Sequence, residues 1–244
     1  MLAVIRLFLL GLFVVLVGVL GCLFCLLRPF HRDNTHIFAN LFGHMHKVIG
    51  VEMDIRVPDT VRDKGPFVYV ANHQNSWDMF TMSGALPAGT VSVGKKSLKW
   101  IPFFGQLYWL AGNILIDRNN RSKAHGTIGR TIEAITKNKL SIWLFPEGTR
   151  SYGRGLLKFK TGAFHSAVGA GVPLVPVCMS TTHGQIKLNR WNNGKVIIEM
   201  LEPIETTGMN KEDIRALMAT THEAMSATIE RLDKDVEENW EAKK

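Results

Sequence analysis

Phe67-Val68-Tyr69-Val70-Ala71 is a short apolar run that opens directly onto a polar cluster, Asn72-His73-Gln74-Asn75-Ser76-Trp77-Asp78. The run reads as a buried strand. Similar runs recur at 91–93, 114–116, 142–145, 174–178 and 196–200, with helical patterns at 79–84, 98–110, 122–137 and 163–170 between them. Nearly continuous apolar strands that alternate with helices belong to α/β folds. The expected fold is therefore α/β, with a mixed, largely parallel sheet flanked by helices. A final helix is expected from Lys211, capped by Asn210, with Ile214, Leu217, Met218, Met225, Ile229, Leu232 and Val236 as its packing stripe.

Ligands of open α/β sheets bind beyond the carboxyl ends of strands. The polar cluster after 67–71 is placed there, and it holds His73 and Asp78 with four residues between them. A carboxylate on one ring nitrogen fixes the imidazole tautomer and leaves the other nitrogen free to take a proton. No G-x-S-x-G elbow supplies a protein nucleophile, and Cys178 falls inside an apolar strand. A hydroxyl activated by His73 would then belong to a substrate. Phe145-Pro146-Glu147-Gly148-Thr149-Arg150 follows another strand, and Arg154, Lys158 and Lys160 make the downstream loop cationic. Arg150 has the planar fork that grips a phosphate with two bonds. Gly94-Lys95-Lys96-Ser97 and Gly112-Asn113-Ile114-Leu115-Ile116-Asp117-Arg118 bring further cations to strand ends. Val172-Pro173-Leu174-Val175-Pro176-Val177 carries two prolines, so it is expected at a sheet edge or in a bulged strand that a ligand approaches.

The N-terminus is of another kind. From Leu7 to Leu27 no residue is charged, which is long enough for a helix to cross a hydrocarbon core of about 30 Å. Val19-Leu20-Gly21-Cys22 looks like a lipoprotein cleavage site, but the chain stays apolar to Leu27, which favours a retained membrane helix over a cleaved signal. Cys22 and Cys25 read as small apolar residues of that helix. Phe38, Leu41, Phe42, Met45, Val48 and Ile49 form a second, amphipathic stripe suited to a membrane interface. His44 and His46, two apart, point to different faces and make a poor metal pair. Residues 1–50 are thus expected to be a membrane-associated helical pair, and 51–244 an α/β domain.

The 244 residues carry 29 Lys+Arg against 21 Asp+Glu, a net charge of +8. The excess lies in the first 210 residues, which have 23 basic and 12 acidic side chains. A positive body suits a phosphate-bearing substrate or an anionic membrane. Nucleic acid is disfavoured, because the cations sit at strand ends without a nucleic-acid-binding motif. Three cysteines exclude a disulfide framework.

In order and spacing, the four blocks at 72–78, 112–118, 145–150 and 172–177 resemble those of the glycerolipid acyltransferase family. His73 and Asp78 match its H-x4-D motif, and Glu147 to Arg150 its E-G-T-R motif. The stretch 94–149, including Lys99-Trp100-Ile101-Pro102-Phe103-Phe104-Gly105-Gln106, is similar to the bacterial 1-acyl-sn-glycerol-3-phosphate acyltransferases. The resemblance implies transfer of a fatty acyl chain from acyl-CoA or acyl-acyl carrier protein to the 2-hydroxyl of lysophosphatidic acid, giving phosphatidic acid. It implies His73 as general base and Asp78 as its orienter. Arg150, Glu147, Gly148, Thr149, Arg118, Lys95 and Lys96 would serve acceptor binding, and Pro176 the acyl or donor side. The donor is a co-substrate; no metal or resident cofactor is expected. The family also implies that the first two helices can enter one leaflet of the cytoplasmic (inner) membrane, among its lipids, with the catalytic domain on the cytoplasmic side; the length of 7–27 equally permits a full crossing, and the sequence leaves that choice open. Two alternatives stay open: a sister acyltransferase using glycerol 3-phosphate or another lysolipid, and a non-catalytic anchored protein that binds anionic lipid.

Overall fold

The structure, a computed structural model, describes the backbone of residues 1–117 and 121–241 and the side chains of 1–117 and 126–238. Seven strands make one sheet: β1 (Glu52–Arg56), β2 (Val68–Ala71), β3 (Thr90–Lys95), β4 (Ile114–Ile116), β5 (Ser141–Leu144), β6 (Leu174–Met179) and β7 (Lys195–Met200). Their order is β1-β7-β6-β2-β5-β3-β4, and every neighbouring pair is parallel except β6 with β7. The α/β reading is confirmed. The carboxyl ends of β2, β5, β3 and β4 consequently lie along one edge, which brings three of the four sequence blocks to the same rim.

Strand residues alternate between two cores. Val68, Val70, Ile142, Leu174, Cys178 and Ile197 pack under α4 (Arg121–Thr136), α5 (Gly162–Ala170) and α6 (Ile214–Glu241). Tyr69, Ala71, Trp143, Val175, Val177 and Met179 face the opposite layer, which holds α1 (Leu2–Leu27), α2 (Asn34–His44) and α3 (Phe104–Leu110). The helical pattern at 79–84 forms two short 3-10 turns, Ser76–Met79 and Met82–Ala85, and the one at 98–110 splits into a 3-10 turn (Lys96–Trp100) and α3.

Two expectations are corrected. β6 is neither an edge strand nor open to a ligand along its length: it lies between β7 and β2 with all six residues buried. It tolerates proline because its partner bulges. Val177 pairs with Met200 and Leu174 bridges Ile204, so the partner chain has one extra residue between these points. The Pro176 carbonyl accepts from Leu201 N–H at 2.9 Å, and the absent proline N–H faces this bulge. The α2 stripe, expected at a membrane interface, packs inward instead. Phe38, Phe42 and Ile49 are buried, Met45 and Val48 pack against the core, and Leu41 alone of the stripe is exposed.

α1 is the one helix among the described residues long and apolar enough to cross a membrane. It is also fastened to the domain along its length. Gly18 and Gly21 let it lie against α3: a Cβ on Gly18 would sit 2.6 Å from Phe103 Cβ, and one on Gly21 2.8 Å from Leu107. Asn34 Nδ2 donates to Arg28 O at 2.9 Å and to Cys25 Sγ at 3.5 Å. At the other end Arg6 is only 4% exposed, and it donates to the carbonyls of Leu188 (3.0 Å), Arg190 (2.6 Å) and Trp191 (2.9 Å). A buried guanidinium is costly unless its donors are satisfied, and here backbone oxygens satisfy it. The opposite side of α1 exposes a ridge of Phe8, Leu12, Leu16, Leu20, Leu23 and Leu27.

Arg6→Met keeps the apolar volume and strips these carbonyls of their donors. We expect a stability loss of about 1–3 kcal/mol, with faster amide exchange concentrated in 1–10 and 186–193. Exchange unchanged in both segments would refute the clamp.

Candidate active site

The chain leaves β2 at Ala71 and is stitched at once to the end of β6. Asn72 Nδ2 donates to Met179 O at 3.0 Å, and Met179 N–H donates back to Asn72 Oδ1 at 2.8 Å. Gln74 Nε2 donates to Met179 O (3.1 Å) and Ser180 O (2.8 Å), while its Oε1 accepts Thr182 N–H at 2.7 Å. Asn75 caps the 3-10 turn Ser76–Met79 by accepting Trp77 N–H at 2.8 Å. That turn carries Asp78 back toward His73.

Asp78 is 4% exposed. Its Oδ2 accepts from His73 Nδ1 at 2.6 Å, from Gln74 N–H at 2.7 Å and from Asn75 N–H at 3.3 Å. An ionised carboxylate only accepts, so the ring proton sits on Nδ1 and the Nε2 lone pair is left available. The ring also stacks on Phe145, centroids 4.1 Å apart at 19°. Among the described residues no hydroxyl or thiol is hydrogen-bonded to Nε2. Cys178 is remote in role as well: its Sγ reaches toward Met225 O inside the core, and burial pushes its thiol up to about 12.

Glu147 takes a part that the sequence reading did not foresee. It is 3% exposed; Oε1 accepts His73 N–H at 2.7 Å and Oε2 accepts Leu157 N–H at 3.0 Å. Its carboxylate therefore ties the β5 loop to the backbone of the histidine. Ser151 N–H to His73 O (2.8 Å) and Tyr152 N–H to Gln74 O (2.9 Å) complete the join. Burial pushes the Glu147 carboxyl above the usual carboxylate range, against the pull of the two N–H bonds. Arg150, on the same loop, does not pair with Glu147. Its guanidinium reaches Tyr152 Oη at 3.3 Å and is otherwise half-exposed beside the exposed Thr149. Gly148 sits between them at φ +70°, a conformation that suits glycine.

Lys95 and Lys96 are exposed at the end of β3, two strands from β2. They line a cleft of about 360 Å³ with Ser97, Lys99, Trp100, Ile116 and Asp117. Arg118 lies outside the described residues. Pro176 is buried within β6, on the face shared by Leu174 and Cys178. Sequence reasoning missed Tyr152 and Thr182, and it quoted Gln74 and Phe145 within their blocks without giving them a role. Gln74 and Thr182 meet across 108 positions, so no local pattern marks them.

A histidine held by a buried carboxylate thus stands at the rim of a mostly parallel sheet, with a cationic loop beside it. The acyltransferase family model matches residues 52–180, and the chain belongs to this family. It is 50% identical to the 1-acyl-sn-glycerol-3-phosphate acyltransferase of Escherichia coli K12 over 244 residues, the whole of both chains. The Haemophilus influenzae protein of that name is 48% identical over 97% of this chain and 98% of its own length. The Saccharomyces cerevisiae one is 34% identical over 88% and 72%. The crystal structure of the Thermotoga maritima 1-acyl-sn-glycerophosphate acyltransferase has the same fold: TM-score 0.75, 24% identity, covering 95% of this chain and 94% of that one.

Glu147→Gln leaves one acceptor oxygen for two N–H groups. An unpaired buried donor costs about 1–3 kcal/mol, so stability and turnover both fall. The raised carboxyl also gives a signature. It favours folding below its ordinary value near 4.5 and loses that contribution as pH rises through its folded value. The wild-type stability curve should show this decline and the Gln variant should lack it. Identical pH slopes would refute the assignment.

Proposed function

We propose that the enzyme moves a fatty acyl group from a thioester, acyl-CoA or acyl-acyl carrier protein, to the 2-hydroxyl of 1-acyl-sn-glycerol 3-phosphate. The observation that carries this reading is the His73 Nδ1 to Asp78 Oδ2 contact of 2.6 Å, with Nε2 left open beside a cationic loop. His73 Nε2 takes the hydroxyl proton as the oxygen attacks the thioester carbonyl. The new C–O bond forms, the C–S bond breaks, and the proton passes from the imidazolium to the departing thiolate. Asp78 holds the tautomer and stabilises the cation during the transfer. A thioester is already activated, so the substrate oxygen can attack directly.

Arg150 grips the acceptor phosphate. Lys95 and Lys96 add positive potential from the neighbouring strand end, as does Arg118 in this reading. Glu147 and Gly148 shape the loop that presents Arg150. The acceptor and product are membrane lipids, and the exposed ridge of α1 supports insertion into the bilayer, with the domain on the cytoplasmic side of the inner membrane. An anchored lipid-binding protein would need the cations and the apolar ridge, but it would have no use for an imidazole poised by a buried carboxylate.

His73→Ala removes the base while leaving the Asp78 bonds to Gln74 and Asn75 in place. A positioned base contributes about 10²–10⁴-fold, so kcat should fall by that factor in protein that stays folded, with a modest drop in melting temperature from the lost bond to Asp78. Near-normal turnover in folded protein would sink the mechanism. Arg150→Lys should raise the KM for lysophosphatidic acid about tenfold, because an ammonium cannot reproduce the fork. The donor KM should hardly move; equal damage to both would assign Arg150 a structural role.

A further inference from the structure

Lys160 lies outside the four sequence blocks, and the mechanism above does not use it. Its neighbour Phe159 is anchored, stacking on Phe164 (6.0 Å) and meeting His222 of α6 edge-on (4.7 Å). The Lys160 N–H donates to Pro146 O at 2.8 Å. These two constraints fold the chain back across the turn that holds Gly148. The side chain follows: Lys160 Cε and Nζ lie 2.8 Å from the point a Cβ on Gly148 would occupy. An exposed ammonium therefore stands directly over the glycine of the E-G-T-R block.

No carboxylate among the described residues forms an ion pair with Lys160 or Arg150. Glu147, the nearest in sequence, has its oxygens on the N–H groups of His73 and Leu157. A guanidinium and an ammonium borne by two segments that meet at Gly148, neither of them ion-paired, suit an anion that comes between them. A phosphomonoester carries a charge of about −1.5 to −2 at neutral pH, more than one guanidinium neutralises.

We infer that Lys160 is the second cation of the acceptor's phosphate seat, facing the same phosphomonoester as Arg150 across Gly148. This rests on the acceptor reading above. It also explains Gly148 twice: the residue needs φ +70°, and a side chain there would displace the ammonium. The division of labour follows the chemistry, with the guanidinium giving paired directional bonds and the ammonium a point charge with rotatable donors.

The test uses the full chain in detergent micelles as wild type, Lys160→Gln, Lys160→Arg and Lys158→Gln. Lys158 is an exposed lysine on the same segment and serves as control. Lys160→Gln should raise the KM for lysophosphatidic acid about tenfold, the low end for one charge-assisted bond. Its kcat, donor KM and melting temperature should stay close to wild type. Lys160→Arg should recover most of the loss, and Lys158→Gln should behave as wild type. Titration with sn-glycerol 3-phosphate, followed by phosphorus NMR, should show the same weakening without turnover. An acceptor KM within twofold of wild type overturns the inference, as does a rise confined to the donor KM. If wild-type protein does not acylate lysophosphatidic acid, the acceptor reading fails by itself, and the glycerol 3-phosphate titration still decides Lys160. Equal binding by wild type and Lys160→Gln, or binding by neither, overturns it.

Discussion

The buried carboxylate of Asp78 is the constraint on which the site depends. It accepts the His73 imidazole and the N–H groups of Gln74 and Asn75, so one charge sets both the tautomer and the path of the chain after β2. A carboxylate that accepts several bonds in a low-dielectric pocket is rigid, because losing any one of them leaves charge or donor unpaired. The neighbouring strands extend that rigidity. Asn72 and Gln74 lock the segment to the end of β6, and Glu147 locks it to the loop after β5. The histidine is therefore held by three adjacent strands of the sheet, as a positioned base requires.

The fold was legible where its causes are local. Apolar runs of strand length marked β2 to β7, and the His73 to Asp78 spacing is closed by one 3-10 turn. β1 escaped notice because Glu52-Met53-Asp54-Ile55-Arg56 has few apolar residues. Its charges meet partners far along the chain: Lys195 to Asp54 at 2.9 Å and Arg56 to Asp235 at 2.9 Å. Glu147 was legible as a site residue, but its bonds to the chain were not, because its partners are backbone N–H groups, which carry no sequence signal. The two prolines left β6 as either an edge strand or a bulged one; it is internal, and the bulge lies in the strand beside it.

α1 shows the same limit from the other side. The run from Leu7 to Leu27 is uncharged and offers no polar face, so sequence alone marks no side of it for protein contact. Gly18 and Gly21 give it a protein-facing side through closeness of backbone, and Arg6 finds its carbonyls 182 to 185 residues later. The exposed ridge and the rim that carries His73 thus belong to one packed body, which suits the proposed lipid acceptor and product.

The central claim is that the acceptor's own hydroxyl attacks the donor, with His73 as base and no covalent stage on the protein. It is tested most directly by intact-mass spectrometry of the enzyme mixed with acyl-CoA or acyl-acyl carrier protein, first without acceptor and then during turnover. The account predicts an unmodified protein mass at every time point, while phosphatidic acid appears only once lysophosphatidic acid is present. A protein species heavier by one acyl group, formed without acceptor and discharged when lysophosphatidic acid is added, would contradict it.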